Sequence, residues 1–159
     1  MELTKWINPV INLLLLLVGF MIIGGVFSII FLLDFSDSSK IKDLTIIISN
    51  TIMYILIFLP IFQLKKIIKS ISENKIFTLE NVKRFRFISY PIFLIAFLSC
   101  FGGYSNIEIM SIKGFSIKGY TLIILILALF ALIMSHIFHE AMLVKTESEK
   151  LKEENKYTI

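Results

Sequence analysis

Four long segments of this chain contain no Asp, Glu, Lys or Arg: residues 7–33, 44–64, 87–107 and 119–139. They are 27, 21, 21 and 21 residues long. A helix of about 20 predominantly apolar residues is long enough to cross the roughly 30 Å hydrocarbon core of a bilayer. The sequence therefore predicts an all-α integral membrane protein in which four spans form a helix bundle.

The composition is typical of a single membrane domain. Of the 159 residues, 57% are hydrophobic and 18% are charged, whereas soluble domains average about 25% charged residues. The residues outside the four segments are too few and too divided to bury a core of their own. We therefore predict one membrane-embedded domain over residues 1–159.

Basic residues are divided unequally between the two sides that four spans would create. Twelve of the 16 Lys and Arg residues lie before the first segment, between the second and third, or after the fourth. The positive-inside rule assigns this richer side to the cytoplasm. We therefore expect both termini to be cytoplasmic, with helices two to four extended beyond the membrane. On this prediction residues 65–86 form a cytoplasmic helical hairpin and residues 140–159 a cytoplasmic tail.

Small and polar residues in the first two segments predict how these spans pack. Gly24 and Ser28 form a small-xxx-small pair, which allows another helix to approach closely. We expect this contact within the molecule, and homodimerisation or a kinked helix are the alternatives. Asn50 is expected to face the bundle, because an amide in hydrocarbon needs a partner. An interhelical hydrogen bond is favoured over a substrate contact.

The pattern after Pro60 predicts a helix that continues past the second apolar segment. Apolar residues recur at helical spacing from 61 to 71, while lysines occupy the other face. Residues 72–75 predict a turn. Thr78 is the predicted N-cap of the next helix, and Glu80 lies in its first turn, where the helix dipole favours an acidic side chain.

The loop before the fourth segment contains a short repeat, at residues 111–115 and 116–120. Alternation from Ile107 to Phe115 is compatible with a short β-hairpin on the outer surface. An ordinary loop is favoured over an extracellular sensing element. The single cysteine, Cys100, is interpreted as a small packed apolar residue.

One cluster, His136, His139 and Glu140, has the residue types and helical spacing of a zinc site. It lies at a predicted membrane interface, where polar residues are expected in any case. The four segments contain no Asp, Glu, Lys or Arg to act as a base or to bind an ion at depth. We therefore predict no catalytic, cofactor or metal site and no enzyme activity. Topology and anionic headgroups explain the basic residues 65–86, so we expect contact with the lipid bilayer and no direct nucleic-acid binding.

Three segments resemble one known family. The run from Phe77 to Tyr90 has Phe, Thr, Glu-Asn, a basic cluster and an apolar run in the order found in DUF2975 membrane proteins. Residues 151–159 resemble that family's closing segment, and residues 138–141 resemble the end of its fourth span. The resemblance implies a small four-span protein of the bacterial inner membrane, from a family without an established biochemical activity. Its members are often encoded beside a short helix-turn-helix regulator.

The resulting hypothesis is a non-enzymatic regulatory membrane protein that binds a cytoplasmic partner, such as a helix-turn-helix regulator, through its inner face. The alternative is a small transport-associated or immunity-type membrane protein. A homo-oligomer is compatible with either. The residues expected to bind the partner lie in the hairpin and in the tail: Glu80, Asn81, Lys83, Arg84, Glu153, Glu154, Asn155 and Thr158.

Overall fold

Four helices account for most of the chain. The computed structural model describes residues 2–33, 39–100, 108–112 and 115–157. This confirms the all-α class, with one small β-hairpin added. The elements are α1 (Glu2–Leu33), α2 (Ser39–Ser72), α3 (Leu79–Ser99), β1 (Glu108–Ile112), β2 (Phe115–Lys118) and α4 (Gly119–Tyr157).

Three of the helices are long and apolar enough to cross a membrane. The qualifying stretches are Trp6–Phe31, Asp43–Ser72 and Gly119–Lys156. Helix α3 ends at Ser99 with Cys100 as its C-cap, and its first two turns are rich in charge. The rest of the predicted third span, up to residue 107, falls largely outside the described residues. By length and composition the fold is that of a membrane protein.

Helices α2 and α4 are much longer than a bilayer core requires. They contain 34 and 39 residues, so at about 1.5 Å per residue they are about 51 and about 58 Å long. Pro60 lies inside α2 without ending it, which confirms the predicted continuation of this helix. Both helices therefore extend well beyond their apolar segments.

Consecutive helices pack side by side. The extensive contacts join α1 to α2, α2 to α3, and α3 to α4. One buried cluster joins the last three helices through Ile67 of α2, Ile88 of α3 and Ala131 of α4. Most large side chains of α1 are exposed, as expected of a helix whose surface faces lipid rather than a protein core.

The contact between α1 and α2 is made at Gly25 rather than at Gly24. A Cβ added at Gly25 would collide with Thr51 of α2, whose Cβ and Cγ2 lie 3.2 and 3.3 Å from it. Gly24 has open space instead, and Ser28 is exposed, donating a hydrogen bond to the Gly24 carbonyl. The expectation of a close contact within the molecule is wrong at Gly24, because adjacent helical residues point about 100° apart. Ser28 lines a groove with Ile47 of α2.

The polar residue of α2 at this contact is also one position away from the predicted residue, Asn50. Asn50 is half-buried, and its side chain makes no hydrogen bond in the part of the chain that the structure describes. The next residue, Thr51, is buried, and its hydroxyl donates to the Ile47 carbonyl at 2.8 Å. The expected interhelical hydrogen bond of Asn50 is therefore not observed, and Thr51 is the polar residue in the contact with α1.

The alternation before α4 does form a β-hairpin. Strands β1 and β2 pair antiparallel, with Ser111 opposite Ser116 and Ile112 opposite Phe115. Strand β1 thus contains the start of the first copy, and β2 contains the last residue of the first copy and the first three of the second. Gly119 of the second copy begins α4, so the hairpin leads directly into the last helix.

A cavity of about 290 Å³ lies between α3 and the start of α4. Aromatic and aliphatic side chains line it, together with Cys100 and Thr121. Cys100 is buried, in agreement with the prediction of a packed thiol. Thr121 is 5% exposed, and its hydroxyl has no hydrogen-bond partner among the described residues. A buried hydroxyl without a partner costs about 1–3 kcal/mol.

We expect Thr121→Val to raise the free energy of unfolding by about 1 kcal/mol, because valine keeps the shape and removes the unpaired hydroxyl. Unfolding of the purified protein in mixed micelles, titrated with sodium dodecyl sulfate, measures this change. Thr146→Val is the control, since the Thr146 hydroxyl is exposed and bonded to the Met142 carbonyl. A Thr121→Val variant no more stable than the parent would contradict the prediction.

Candidate functional site

The end of α2 turns back through a Schellman motif, which begins the polar turn (residues 70–84). Asn74 adopts a left-handed conformation, with φ 59°. Its backbone N–H donates to the Ile71 carbonyl at 3.0 Å, and the backbone N–H of Lys75 donates to the Ser70 carbonyl at 2.9 Å. These bonds satisfy carbonyls that the helix end would leave free. The turn predicted at residues 72–75 is confirmed.

The start of α3 is capped as the sequence indicates. Thr78 has extended backbone angles, and its hydroxyl accepts a hydrogen bond from the backbone N–H of Asn81 at 3.4 Å. The Val82 amide donates to the Thr78 carbonyl at 3.2 Å. Glu80 lies in the first turn, where its negative charge interacts favourably with the positive end of the helix dipole. The predicted N-cap and the acidic first turn are both confirmed.

Asn81 joins the two helices through its side-chain amide. It is 0% exposed, and the two hydrogens of Nδ2 are shared among the Ser70 hydroxyl, the Lys75 carbonyl and the Ile76 carbonyl, at 2.9–3.0 Å. The Ser70 hydroxyl in turn donates to the Lys75 carbonyl at 2.6 Å. One buried side chain thus supplies the donors that the carbonyls of the turn need. Asn81 is therefore a positioning residue of the polar turn.

Arg84 closes this network on its outer side. Its Nη1 donates to the Asn81 Oδ1 at 2.9 Å and to the Lys66 carbonyl at 3.3 Å, and Nη2 donates to Glu80 at 3.0 Å. The Arg84 side chain is 23% exposed, whereas that of Glu80 is 78% exposed. Such an exposed ion pair contributes little stability. Its effect is to hold the guanidinium at one position.

The polar turn rests on α4. The Phe138 ring contacts Phe85, with centroids 4.8 Å apart, and Phe77, with centroids 5.7 Å apart. The buried Ser135 hydroxyl donates to the Val82 carbonyl at 3.0 Å. Tilted aromatic pairs of this kind contribute about 0.5–1.5 kcal/mol each. The turn is therefore attached to a long helix rather than standing free.

The structure brings together three of the eight predicted partner-binding residues: Glu80, Asn81 and Arg84. Lys83 is exposed on the same helix. The α4 residues that line a groove with the polar turn lie between 141 and 148. The predicted residues of the tail lie further along α4 and are exposed, namely Glu153, Glu154 and Asn155. Thr158 lies outside the described residues.

Sequence reasoning missed Ser70 and Phe138 as parts of this site. Asn74 offered the one local signal, since an asparagine after the last helical residue often adopts the left-handed conformation. The contacts of Ser70 with Asn81, and of Phe138 with Phe85, join residues 11 and 53 positions apart. No pattern along the chain indicates such pairs.

The two histidines belong to α4 and lie beside Arg86 of α3. His136, His139 and Glu140 line a cavity of about 360 Å³ with Arg86. The His139 Nδ1 is 3.7 Å from a Glu140 carboxylate oxygen. Within the described ranges, no group of three or more His, Cys, Asp or Glu side chains is placed to hold a metal ion.

The fold and the polar turn together define a class of protein. It is a helical protein whose apolar helices are long enough to span a membrane, and two of them, α2 and α4, continue into charged segments. Over residues 5–159 the chain matches the family described as "Protein of unknown function (DUF2975)". The chain belongs to this family, as the resemblance indicated. No curated protein and no solved structure matches it.

Proposed function

We propose that this chain is a non-enzymatic, four-span protein of the bacterial cell membrane that binds a cytoplasmic regulatory protein through the polar turn and the exposed end of α4. Both termini are then cytoplasmic. The unequal distribution of basic residues supports this orientation. The observation that carries the proposal is the buried Asn81, whose hydrogen bonds hold the polar turn in one conformation.

A fixed turn suits protein recognition because less conformational entropy is lost when the partner binds. Arg84 is held by two residues of its own helix and by the Lys66 carbonyl. Beside it, Glu80 and Lys83 expose opposite charges. Charges displayed on a rigid surface favour specificity and a fast association rate. The exposed, charged end of α4 extends this surface.

Site-specific photo-crosslinking in cells tests the proposal. A photoreactive amino acid is placed at Lys83 or at Glu153, and the control position is Leu94, an exposed apolar residue of α3. We expect the same protein to be captured from both test positions and not from Leu94. Capture at Lys83 should fall several-fold when Asn81→Ala loosens the polar turn.

Two outcomes would contradict the proposal. One is that the two test positions capture no common protein. The other is that capture at Leu94 equals that at Lys83, which would indicate collision within the membrane rather than binding at the polar turn. Measured flux through proteoliposomes that persists without residues 140–159 would favour the transport-type alternative.

A further inference from the structure

A polar pocket of about 500 Å³ opens at the junction of α2, the polar turn and α3. Pockets that bind small molecules have volumes of roughly 300–1,000 Å³. Four basic residues and two acidic residues line it, which leaves a net positive charge. The charged residues are Lys66, Lys69, Lys75, Arg84, Glu73 and Glu80.

Two of these basic residues have no acidic partner. Both carboxylates are already engaged, since Glu80 accepts from Arg84 at 3.0 Å and Glu73 lies 3.7 Å from the Lys75 ammonium. Lys66 and Lys69 make no ion pair within the described part of the chain. They lie three positions apart and therefore on one face of α2. Two lysines without an acidic partner thus line one wall of the pocket.

The opposite wall is built from groups that suit an anion. Thr78 and the first residues of α3 line the pocket, and a helix N-terminus offers free backbone N–H groups and a favourable dipole. Arg84 has further N–H groups beyond its bonds to Asn81, Glu80 and the Lys66 carbonyl. Because those bonds fix the guanidinium, the remaining donors are held in place.

The depth of the pocket corresponds to the headgroup layer of a bilayer. The second apolar segment ends at Leu64, so Lys66 and Lys69 lie about 3 and about 7.5 Å further along α2. Headgroups add about 5–7 Å to each side of the hydrocarbon core. The Lys66 ammonium lies 4.5 Å from the centroid of the Phe62 ring, which attracts it toward the apolar side.

We propose that this pocket is a binding site for the phosphate group of an anionic phospholipid. Lys66 and Lys69 contact the phosphate from α2, and the start of α3 with Arg84 contacts it from the other side. Free inorganic phosphate offers the same chemistry and is the alternative source. The pocket shares Glu80 and Arg84 with the surface proposed for the protein partner. Lys66 and Lys69 are not among the residues assigned to that partner, so their variants test the phosphate site separately.

The test measures ligand-dependent stabilisation of the full chain in neutral detergent. Phosphatidylglycerol, phosphatidylcholine or inorganic phosphate is titrated, and the half-saturating concentration is read from the shift in thermal unfolding, because a ligand that binds the folded state stabilises it. We expect phosphatidylglycerol to stabilise the parent. The double variant K66Q/K69Q should need about tenfold more of this lipid, and K66R/K69R should restore binding to within about threefold.

The matched control is K65Q/K150Q, which removes the same charge and includes a lysine at the same depth outside the pocket. It should change the half-saturating concentration less than threefold. An equal loss in the control would overturn the proposal, since the attraction would then be diffuse. An unchanged K66Q/K69Q would also overturn it. If inorganic phosphate stabilises the parent as well as the lipid does, and K66Q/K69Q weakens both, the phosphate site stands with free phosphate as its source.

Discussion

Asn81→Ala lowers the free energy of unfolding by about 2–4 kcal/mol, because the Ile76 carbonyl loses its side-chain donor and the Lys75 carbonyl keeps only the Ser70 hydroxyl. The Ser70 hydroxyl and the Arg84 guanidinium lose a partner at the same time. A polar group left unpaired in a low-dielectric site costs more than an ordinary hydrogen bond contributes. The effect should be largest at the polar turn, so α2 and α3 separate there first.

Titration with sodium dodecyl sulfate measures the decrease in the free energy of unfolding. Limited trypsin digestion shows which segment of the chain is loosened. Cleavage after Lys69 or Lys75 should accelerate at least tenfold in Asn81→Ala. Asn155→Ala is the matched control, since Asn155 is exposed on α4. If both variants have the stability and the cleavage rate of the parent, Asn81 does not hold the turn.

Gly25→Val should lower the unfolding free energy by about 1–3 kcal/mol, which is the usual cost of forcing extra atoms into a packed contact. The new side chain would collide with Thr51, so α1 must move away from α2. Gly24→Val is the control, because a Cβ at Gly24 meets nothing within 4 Å. The same detergent titration measures both.

The double variant Gly25→Val/Thr51→Ala separates the collision from other effects of valine. Removing the Thr51 hydroxyl and methyl group should recover at least half of the loss, because the Cβ of residue 51 is then the remaining close atom. A Gly25→Val protein as stable as Gly24→Val would show that the two helices do not meet at this glycine.

The fold could be predicted where its cause is local. Uncharged segments of 21 residues or more indicate α1, α2 and α4, since length and hydropathy decide whether a helix can lie in a bilayer. The N-cap at Thr78 and the turn at residues 72–75 could also be predicted. A cap or a turn is set by the residues that form it, so one short stretch of sequence is sufficient.

The rotation of each helix could not be predicted in the same way. The sequence pattern predicts a contact at Gly24, whereas the contact lies at Gly25. It predicts a hydrogen bond of Asn50, whereas the buried polar residue is Thr51. A helix that is apolar on all sides has no polar face to show which side turns inward. The hydrogen bonds of Asn81 could not be predicted for a different reason. Their acceptors lie in α2 and in the turn that follows it, and the path of that turn is not readable from the sequence pattern.

The packing of α1 has a consequence for the order in which the molecule comes apart. Its extensive contacts are with α2, while α2, α3 and α4 share the cluster around Ile67, Ile88 and Ala131. Detaching α1 therefore leaves that cluster and the Asn81 hydrogen bonds intact. Mechanically, the chain is a three-helix core unit with one peripheral helix, and increasing force or detergent should release the peripheral helix first.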